Sequence, residues 1–233
     1  MYGITYNNKH SFKDFGIKML SQRIIQPPIK KKINVTVPFM SGSYDFSDIY
    51  NSNHFEERVL EYQFLIKTTS VEALEIKRIT IENWLLSGNQ KTILKDDILR
   101  GYYYLAECTE VQAEEVDCMA KITVLFTAYP FKICEACEGE LLWDSFNFEL
   151  DMLQKTKFEI DGQKKVAIYN QSIVNVTPFI ICDAPFKIKK NDMYYEIPTG
   201  TVNDYRFELE PGINNLIIKG KGNIEFRFRK EVL

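Results

Sequence analysis

Residues that could carry acid–base or metal chemistry are few and stand apart in this sequence. The two histidines, His10 and His54, form neither an HxxxH nor an HxH pattern, and a metal site needs further ligands at matched spacing. We therefore predict structural or solvent-exposed roles for both. The paired acids Asp96-Asp97 and Glu114-Glu115 are adjacent, whereas the two carboxylates of a glycosidase usually come from separated segments. The sequence predicts no catalytic residue among them.

The five cysteines do not form a recognisable framework. An odd number with irregular spacing is a poor basis for disulfides, so we expect free thiols. Cys134-x-x-Cys137 has redox or half-zinc spacing, but a zinc ribbon needs a second close pair, and Cys108 and Cys118 are ten residues apart. A thioredoxin-like pair lies between a strand and a helix, whereas this pair lies in an acidic segment that would raise thiol pKa values. No metal site, cofactor or catalytic thiol is predicted.

Composition argues against nucleic-acid and membrane partners. The 29 Lys and Arg residues oppose 32 Asp and Glu residues, for a net charge of −3, without the clustering that phosphate binding needs. Lys30–Lys32 more often marks a solvated strand edge than a phosphate site, and Gly220–Gly222 precedes a strand, so we predict a hairpin turn there rather than a phosphate loop. No apolar run approaches the roughly 18 residues of a bilayer span, and no signal-peptide pattern opens the sequence. We expect a cytoplasmically made protein with neither membrane insertion nor nucleic-acid specificity.

Period-two alternation of apolar and polar residues recurs along the chain and predicts β-strands with one buried face. The clearest alternating segments are Ile33–Val37, Tyr62–Lys67, Lys121–Ala128 and Ile224–Arg229. Turn residues punctuate them at Ser41–Ser43, Asp161-Gly162, Pro211-Gly212 and Gly220–Gly222. Short strands between such turns predict a mainly β protein with antiparallel sheets.

One segment predicts a helix over residues 70–86. Thr69–Glu72 matches a capping box in which the Thr69 hydroxyl and the Glu72 carboxylate bond to backbone amides. Gly88 is predicted to end the helix in a left-handed conformation. The residues expected to face a sheet are Leu74, Ile81, Trp84 and Leu85.

The acidic, Gly-containing segment around Cys134–Glu140 predicts a domain boundary. We predict an N-terminal domain over 1–133, a linker over 134–142 and a C-terminal domain over 143–233. The second domain is predicted to be all β, at the strand density of a jelly roll or sandwich. Its predicted strands are 158–161, 164–169, 173–181, 186–190, 193–197, 205–209, 214–219 and 223–229.

The order and spacing of short motifs over nearly the whole chain resemble the distal tail (Dit) proteins of long, non-contractile-tailed bacteriophages. The matching strings in the first half are Tyr2–Ile4, Asn7–Ser11, Gly16-Ile17, Lys32–Pro38, Ser41–Ser47, Phe55–Arg58, Trp84-Leu85 with Gly88, Tyr102–Leu105 and Ala128–Lys132. Those in the second half are Tyr169–Ser172, Thr177–Ile180 and Leu209–Asn214. The charged linker with its Cys pair, and the lack of a large carbohydrate-binding insertion, depart from the family pattern.

The resemblance implies a structural role without enzymatic activity or a cofactor. Family members form a hexameric ring that joins the tail tube to the tail tip or baseplate. It implies a split-barrel-like N-terminal β-sandwich with one helix and a C-terminal galectin-like (jelly-roll) β-sandwich. The implied partners are further copies of the chain, the tail tube protein, the tape-measure protein, the tail-associated lysin or tip protein and a receptor-binding protein. The implied location is the virion tail tip, after assembly in the host cytoplasm.

The loop Ser41–His54 is long, and its large apolar residues need cover, so we predict an arm that reaches a neighbouring subunit. The alternative is that the loop folds over its own subunit. The residues of the predicted arm are Tyr44, Phe46, Ile49, Tyr50 and Phe55.

Two other functions are weighed against the tail protein. A carbohydrate-binding module contacting host wall polysaccharide would use exposed aromatic side chains, although alternating aromatics more often belong to a core. The candidates for such stacking are Trp143, Tyr194, Tyr195 and Tyr205. A cell-wall hydrolase would require a carboxylate whose substitution abolishes peptidoglycan turnover, and the sequence offers no constellation for it.

Overall fold

The computed structural model describes residues 2–39, 41–47, 54–140 and 152–233. The chain divides into two compact units: unit 1 comprises Met1–Lys132 with Leu233, and unit 2 comprises Ile133–Val232. Both are built from antiparallel strands, and the described part contains one helix. The mainly β fold class is confirmed. The domain bounds drawn from the sequence stay a prediction, and residues 141–142 of the predicted linker lie outside the described residues.

Unit 1 is a curled antiparallel sheet with a helix packed against it. Its strands follow one another in the order β2-β1-β7-β8-β9-β6-β3, and β4 and β5 form a separate two-stranded hairpin. The elements are β1 Ile4–Tyr6, β2 Lys9–His10, β3 Lys18–Ile25, β4 Asn34–Val35, β5 Tyr44–Asp45, β6 Arg58–Lys67, α1 Val71–Leu86, β7 Thr92–Asp96, β8 Tyr102–Val116 and β9 Met119–Ala128.

The core of unit 1 lies on the face that the alternation predicted. Tyr62 and Phe64 of β6 are fully buried and pair in register with Val124 and Ile122 of β9. Since paired residues point to the same side of a sheet, the two strands present one continuous apolar surface. Burial of this surface is the main force that holds the sheet to α1.

Helix α1 confirms the predicted helix and its buried face, but both of its ends differ from the prediction. The N-cap is Ser70, whose side chain accepts a hydrogen bond from the amide of Ala73, so Thr69 is not the capping residue. Gly88 does not adopt a left-handed conformation, and the helix ends at Ser87 with right-handed backbone angles. The buried residues are the four expected ones, Leu74, Ile81, Trp84 and Leu85. In the described part of the chain no helix has the length and apolar character to cross a membrane.

A buried carboxylate ties the two sides of the curled sheet together. Asp96 at the end of β7 is 3% exposed and accepts hydrogen bonds from the Arg23 guanidinium of β3 and, at 3.2 Å, from the Tyr62 hydroxyl of β6. Burial raises the pKa of Tyr62 well above its ordinary value, so this hydroxyl keeps its proton and donates. The Asp96 carboxylate therefore links β3 to β7, two strands that are distant in sequence and are not neighbours in the sheet.

Strand β8 contains a bulge that changes which residues face the helix. Cys108 pairs with Phe126 and Glu110 pairs with Leu125, which leaves Thr109 as the extra residue. Beyond the bulge Val111 packs against the core. Strict alternation from Cys108 would instead have placed Glu110 on that side.

Unit 2 contains a six-stranded sheet, and the short strands β10 and β17, which lie outside this sheet, pair with each other. Its order is β14-β13-β16-β12-β15, and β11 pairs with β16. The elements are β10 Lys132–Cys134, β11 Lys157–Asn170, β12 Phe179–Cys182, β13 Phe186–Lys190, β14 Met193–Ile197, β15 Gly200–Val202, β16 Gly212–Arg227 and β17 Glu231–Val232.

The turns predicted at Asp161-Gly162 and Gly220–Gly222 are wrong, because both segments lie inside the long strands β11 and β16. The two segments face each other in one ladder, with Gly162 opposite Gly220. All three glycines have positive φ angles, which bend both strands together without ending the ladder. Gly220 has a second constraint, since a Cβ there would lie 2.5 Å from a Phe186 ring carbon. The bend lets residues from both halves of each strand share one core.

Three of the other predicted strands are shorter than expected. Of 173–181 only the last three residues lie in a strand, β12, and 205–209 contributes one isolated bridge. The Asn170 side chain explains the difference, since its Nδ2 donates to the carbonyls of Val174 and Leu209 at 2.9 and 2.8 Å in place of a backbone ladder. In unit 1, the predicted Ile33–Val37 is a strand only at Asn34–Val35, and all five of its residues are exposed.

Candidate assembly interface

The histidines and paired acids serve local structure and do not converge on a site. Nδ1 of His10 accepts hydrogen bonds from two backbone amides, and its Nε2 lies 3.0 Å from a carboxylate oxygen of Asp97. Asp96 points into unit 1, as described above. Glu115 pairs with Arg78 of α1, whereas Glu114 lies on the opposite face of β8. The backbone carbonyl of His54 accepts a hydrogen bond from Lys31.

All five cysteines are free thiols, as expected from their spacing. Cys134 and Cys137 are both buried, and burial, more than nearby charge, raises the pKa of Cys137. Burial likewise raises the pKa of Cys108 to about 11. Across the ranges 2–39, 41–47, 54–140 and 152–233, no three His, Cys, Asp or Glu side chains are placed to hold a metal ion.

Residues 29–39, 41–47 and 54–56 form the described part of a segment that leaves the core of unit 1, which we call the arm. Its base is closed by backbone hydrogen bonds of 2.8 Å from Lys31 to His54 and from Glu56 to Ile29. Further out, β4 pairs with β5. A two-stranded hairpin is at best marginally stable alone, so the arm depends on side-chain contacts at its base or on a partner.

The outer part of the arm is an amphipathic hairpin. Val35 pairs with Tyr44, and Phe46 donates a backbone hydrogen bond to Ile33 in the same register, so these four side chains share one face. They are 40–55% exposed. The polar face carries the Lys32–Asp45 ion pair at 2.8 Å, and the hydrogen bond from Lys32 holds the pKa of Asp45 below its usual range. An apolar hairpin face left open to water is the hallmark of an interaction surface.

The structure separates the predicted arm residues into three groups. Tyr44 and Phe46 lie on the apolar face of the arm, with ring centres 6.1 Å apart. Phe55 lies at the base, where its ring packs edge-on against Phe131 at 5.4 Å. Ile49 and Tyr50 lie outside the described residues. Sequence reasoning missed the contribution of β4, although the alternation of Ile33–Val37 before a Gly turn is itself a hairpin pattern.

Strand β8 offers unpaired backbone to a neighbour. Along one side it pairs with β9 from Ala106 to Val116, but on the other side β7 pairs only with Tyr104–Ala106. Neither β7 nor β9 pairs with the outer side of Glu107–Val116, and the three-residue strand β10 is the other described strand that pairs with β8. Residues 109–116 are exposed on both faces except for the half-buried Val111. Free amides and carbonyls of this kind can pair with another chain.

A second open edge is β3, which ends the strand order of the sheet. It pairs only with β6 among the described strands, and its register shifts between Met19 and Arg23. A bulge on a border strand limits uncontrolled pairing. Unit 1 therefore has two dissimilar open borders and one apolar arm.

The aromatic residues weighed as sugar-stacking candidates do not form one platform. Tyr194 and Tyr205 are 57% and 80% exposed, whereas Tyr195 packs edge-on against Phe207 at 5.0 Å in the core of unit 2. Tyr194 and Tyr195 point to opposite faces of β14 because they are adjacent in a strand. Trp143 lies outside the described residues.

Comparison with known proteins identifies the fold. No protein-family model matches the chain, and no curated protein matches it. Among solved structures, the Dit protein of phage SPP1 matches with a TM-score of 0.65 and 12% identity over 100% of both chains. Two structures of the activated phage p2 baseplate, with strontium and with calcium, match with TM-scores of 0.41 and 0.44 at 11% and 10% identity. They cover 99% and 100% of this chain and 97% of theirs. The likeness to SPP1 Dit shows the distal tail protein fold and confirms, at that level, the resemblance found in the sequence.

Proposed function

We propose that this chain is a structural protein of a phage or prophage tail, a distal tail protein that forms a ring-shaped hub between the tail tube and the tail tip or baseplate. The correspondence in fold with SPP1 Dit over the full length of both chains carries the proposal. That protein belongs to the hub of the adsorption apparatus in phages that infect Gram-positive bacteria. The proposed location is the distal end of the virion tail, after assembly in the host cytoplasm.

The surfaces of unit 1 support a ring of identical copies. The arm exposes an apolar face, the outer side of β8 carries unused backbone groups, and β3 forms a different border at the far side of the sheet. A contact between two unlike surfaces is head-to-tail, and repetition of such a contact either closes into a ring or extends as a filament. Six copies are proposed, as the family resemblance implies.

Each predicted arm residue has a place in this proposal. Tyr44 and Phe46, with Ile33 and Val35, form the surface that a neighbouring copy covers. Phe55 anchors the arm to its own unit through Phe131. Ile49 and Tyr50 are proposed to extend the contact.

The proposed role is geometric rather than chemical. The titratable groups that could have formed a site instead bond to backbone amides or to single partners within the fold. The proposed partners beyond other copies are the tail tube protein, the tape-measure protein, the tail-associated lysin or tip protein and a receptor-binding protein.

The test compares assembly of the full chain with that of an arm variant, Val35→Ser/Tyr44→Ser. We expect light scattering and negative-stain microscopy to show closed six-subunit rings for the wild type, and at least a tenfold weaker association for the variant. Because both side chains are exposed, the free energy of unfolding should change by no more than about 0.5 kcal/mol. The matched control is Ile76→Ser/Ile79→Ser, which removes two similarly exposed apolar side chains from α1.

Two results would count against the proposal. A wild-type chain that stays monomeric at high micromolar concentration, even when co-expressed with the neighbouring tail proteins, would exclude the ring. An equal loss of assembly in the α1 control would show that the arm has no specific part in the interface, without excluding the ring itself.

A further inference from the structure

Unit 2 carries a lysine-rich surface on the outer side of its sheet. Lys187 of β13 pairs in register with Lys219 of β16. One row further along, Lys189 of β13 pairs with Ile217 of β16. On its other side, Ile217 pairs with Lys165 of β11. Because paired residues point to the same side of a sheet, these four lysines project from one face. We call this surface the lysine face.

The positive charge of the lysine face is only partly balanced. Lys187 and Lys189 each approach one exposed carboxylate, at 3.4 and 3.9 Å, and such exposed pairs are weak and exchange readily. Lys165 and Lys219 have no acidic partner among the described residues. The whole chain has a net charge of −3, so this concentration of ammonium groups is a local feature rather than a consequence of composition.

A cleft of about 550 Å³ opens at one end of the lysine face. Lys187 and Lys219 border it together with Glu196. Its apolar lining comes from Pro185, Phe186, Ile197 and Pro198. Phe186 and Ile197 are almost fully buried, so the accessible apolar surface comes from the two exposed prolines. The cleft thus combines two cations and one carboxylate with a small apolar surface, which suits a ligand that has anionic groups on a partly apolar framework.

An exposed aromatic ring stands within the same surface. Tyr194 pairs with Lys189 in register and is 57% exposed. The ammonium groups of Lys187 and Lys189 lie 5.2 and 5.6 Å from the ring centre, within the range of cation–π attraction. The two lysines therefore contact the ring, and more than half of the tyrosine remains exposed to a ligand.

We propose that the lysine face and its cleft bind an anionic glycan whose repeating units carry phosphodiester groups. The backbone positions that carry neighbouring lysines are separated by the strand spacing of roughly 4.8 Å or the alternate-residue spacing of roughly 6.6 Å, so a flexible chain of phosphates can meet several ammonium groups at once and release its counterions. Tyr194 provides a surface for a sugar or polyol unit. A neutral sugar would leave the lysines without a role, and the two exposed prolines of the cleft provide little of the buried apolar centre that an acidic protein would need.

The experiment titrates the full chain with poly(glycerol phosphate) by calorimetry at two salt concentrations. We expect Lys187→Gln/Lys219→Gln to bind about tenfold more weakly. The slope of the logarithm of the binding constant against the logarithm of the salt concentration should fall in magnitude by about two, one for each lost phosphate contact. The control Lys13→Gln/Lys67→Gln removes the same charge from exposed positions of unit 1 and should bind like the wild type. Tyr194→Ala should weaken binding, and Tyr194→Phe should not.

Comparison polymers decide the chemical class. Dextran, which is neutral, and a single-stranded oligothymidylate with the same number of phosphates are expected to bind at least tenfold more weakly than poly(glycerol phosphate). Equal binding of the oligothymidylate would reveal a general polyanion surface and overturn the glycan assignment. Equal loss in the control variant, or unchanged binding in the Lys187/Lys219 variant, would overturn the site. Light scattering on the same samples reports ring formation separately, so failure of either proposal is recognisable without the other.

Discussion

Strands β8 and β16 are of similar length, 15 and 16 residues, but they use their edges differently. β16 pairs with β11 along one side and with β13 and β12 in succession along the other. β8 pairs with β9 along one side, meets β7 over only three residues on the other, and has one more partner in the three-residue strand β10. Unit 2 therefore satisfies its long strand internally, whereas unit 1 leaves most of one strand edge available to another chain.

The two units also close their sheets by different means. Unit 2 bends its long ladder at facing glycines, so that both halves cover one core. Unit 1 has no such bend in β8 and β9 and instead joins β3 to β7 through the Arg23–Asp96 ion pair. The bend in unit 2 requires residues that can adopt positive φ angles. The link in unit 1 requires that every polar partner of the buried ion pair is present.

The largest effect is expected from the buried carboxylate of unit 1. Asp96→Ala should lower the free energy of unfolding by about 4 kcal/mol, because it leaves the Arg23 guanidinium and the Tyr62 hydroxyl without their shared acceptor. Urea denaturation checks this value. The double variant Arg23→Met/Asp96→Leu should recover most of the loss, since it leaves no unpaired charge. No recovery would show that the network contributes more than charge balance.

The next largest effect is expected at the glycine bend of unit 2. Gly220→Ala should destabilise by about 3 kcal/mol, because its Cβ meets the Phe186 ring at 2.5 Å and its φ angle of +150° is strained for other residues. Gly162→Ala is the matched control, since it has a positive φ angle but nothing within 4 Å of the added carbon. It should cost about 1 kcal/mol. Equal costs in denaturation experiments would show that the contact with Phe186 is not what requires the glycine.

Pairing of the open β8 edge with another chain is expected to change the labelling rate of a nearby thiol rather than the free energy of unfolding. Cys118 lies in the turn between β8 and β9 and is half-buried, whereas the other four cysteines are buried. At pH 8 iodoacetamide should label Cys118 first and Cys108 hardly at all, because a thiol with a pKa near 11 has little thiolate at that pH. If β8 pairs with a neighbour, ring formation should slow Cys118 labelling severalfold, as followed by mass spectrometry. Labelling that is equally fast in rings and monomers would place this hairpin end outside the interface.

Local sequence patterns were sufficient to predict those strands and helices that bury one face in the core of their own unit. The alternation through Tyr62 and Phe64 and the helical spacing of Leu74, Ile81, Trp84 and Leu85 predicted the core of unit 1, because burial imposes those periods. The same logic failed for Ile33–Val37, whose apolar face is exposed on the arm. Its cover is not part of the chain's own core, so periodicity alone could not locate it.

Features that depend on distant partners could not be predicted from local sequence. Gly162 and Gly220 look like turn residues, and only their pairing across the ladder shows that they bend a continuous strand. Asp96 lies 73 residues from Arg23 and 34 from Tyr62, so no motif joins them. The lysine face has the same origin, since its members come from three strands that the register alone brings side by side.

The bulge in β8 determines which charged side chains are exposed on each face of the β8–β9 hairpin. Thr109, whose hydroxyl donates to the carbonyl of Leu125 at 3.2 Å, shifts the strand by one position. If the strand ran through Thr109 without a bulge, the two sides of the hairpin would be swapped beyond it: Glu110 and Glu114 would turn towards the helix, and Val111 would turn to solvent. The bulge thus decides that the hairpin presents acidic side chains on its helix-free surface, and exposed charge of one sign opposes uncontrolled pairing of strand edges.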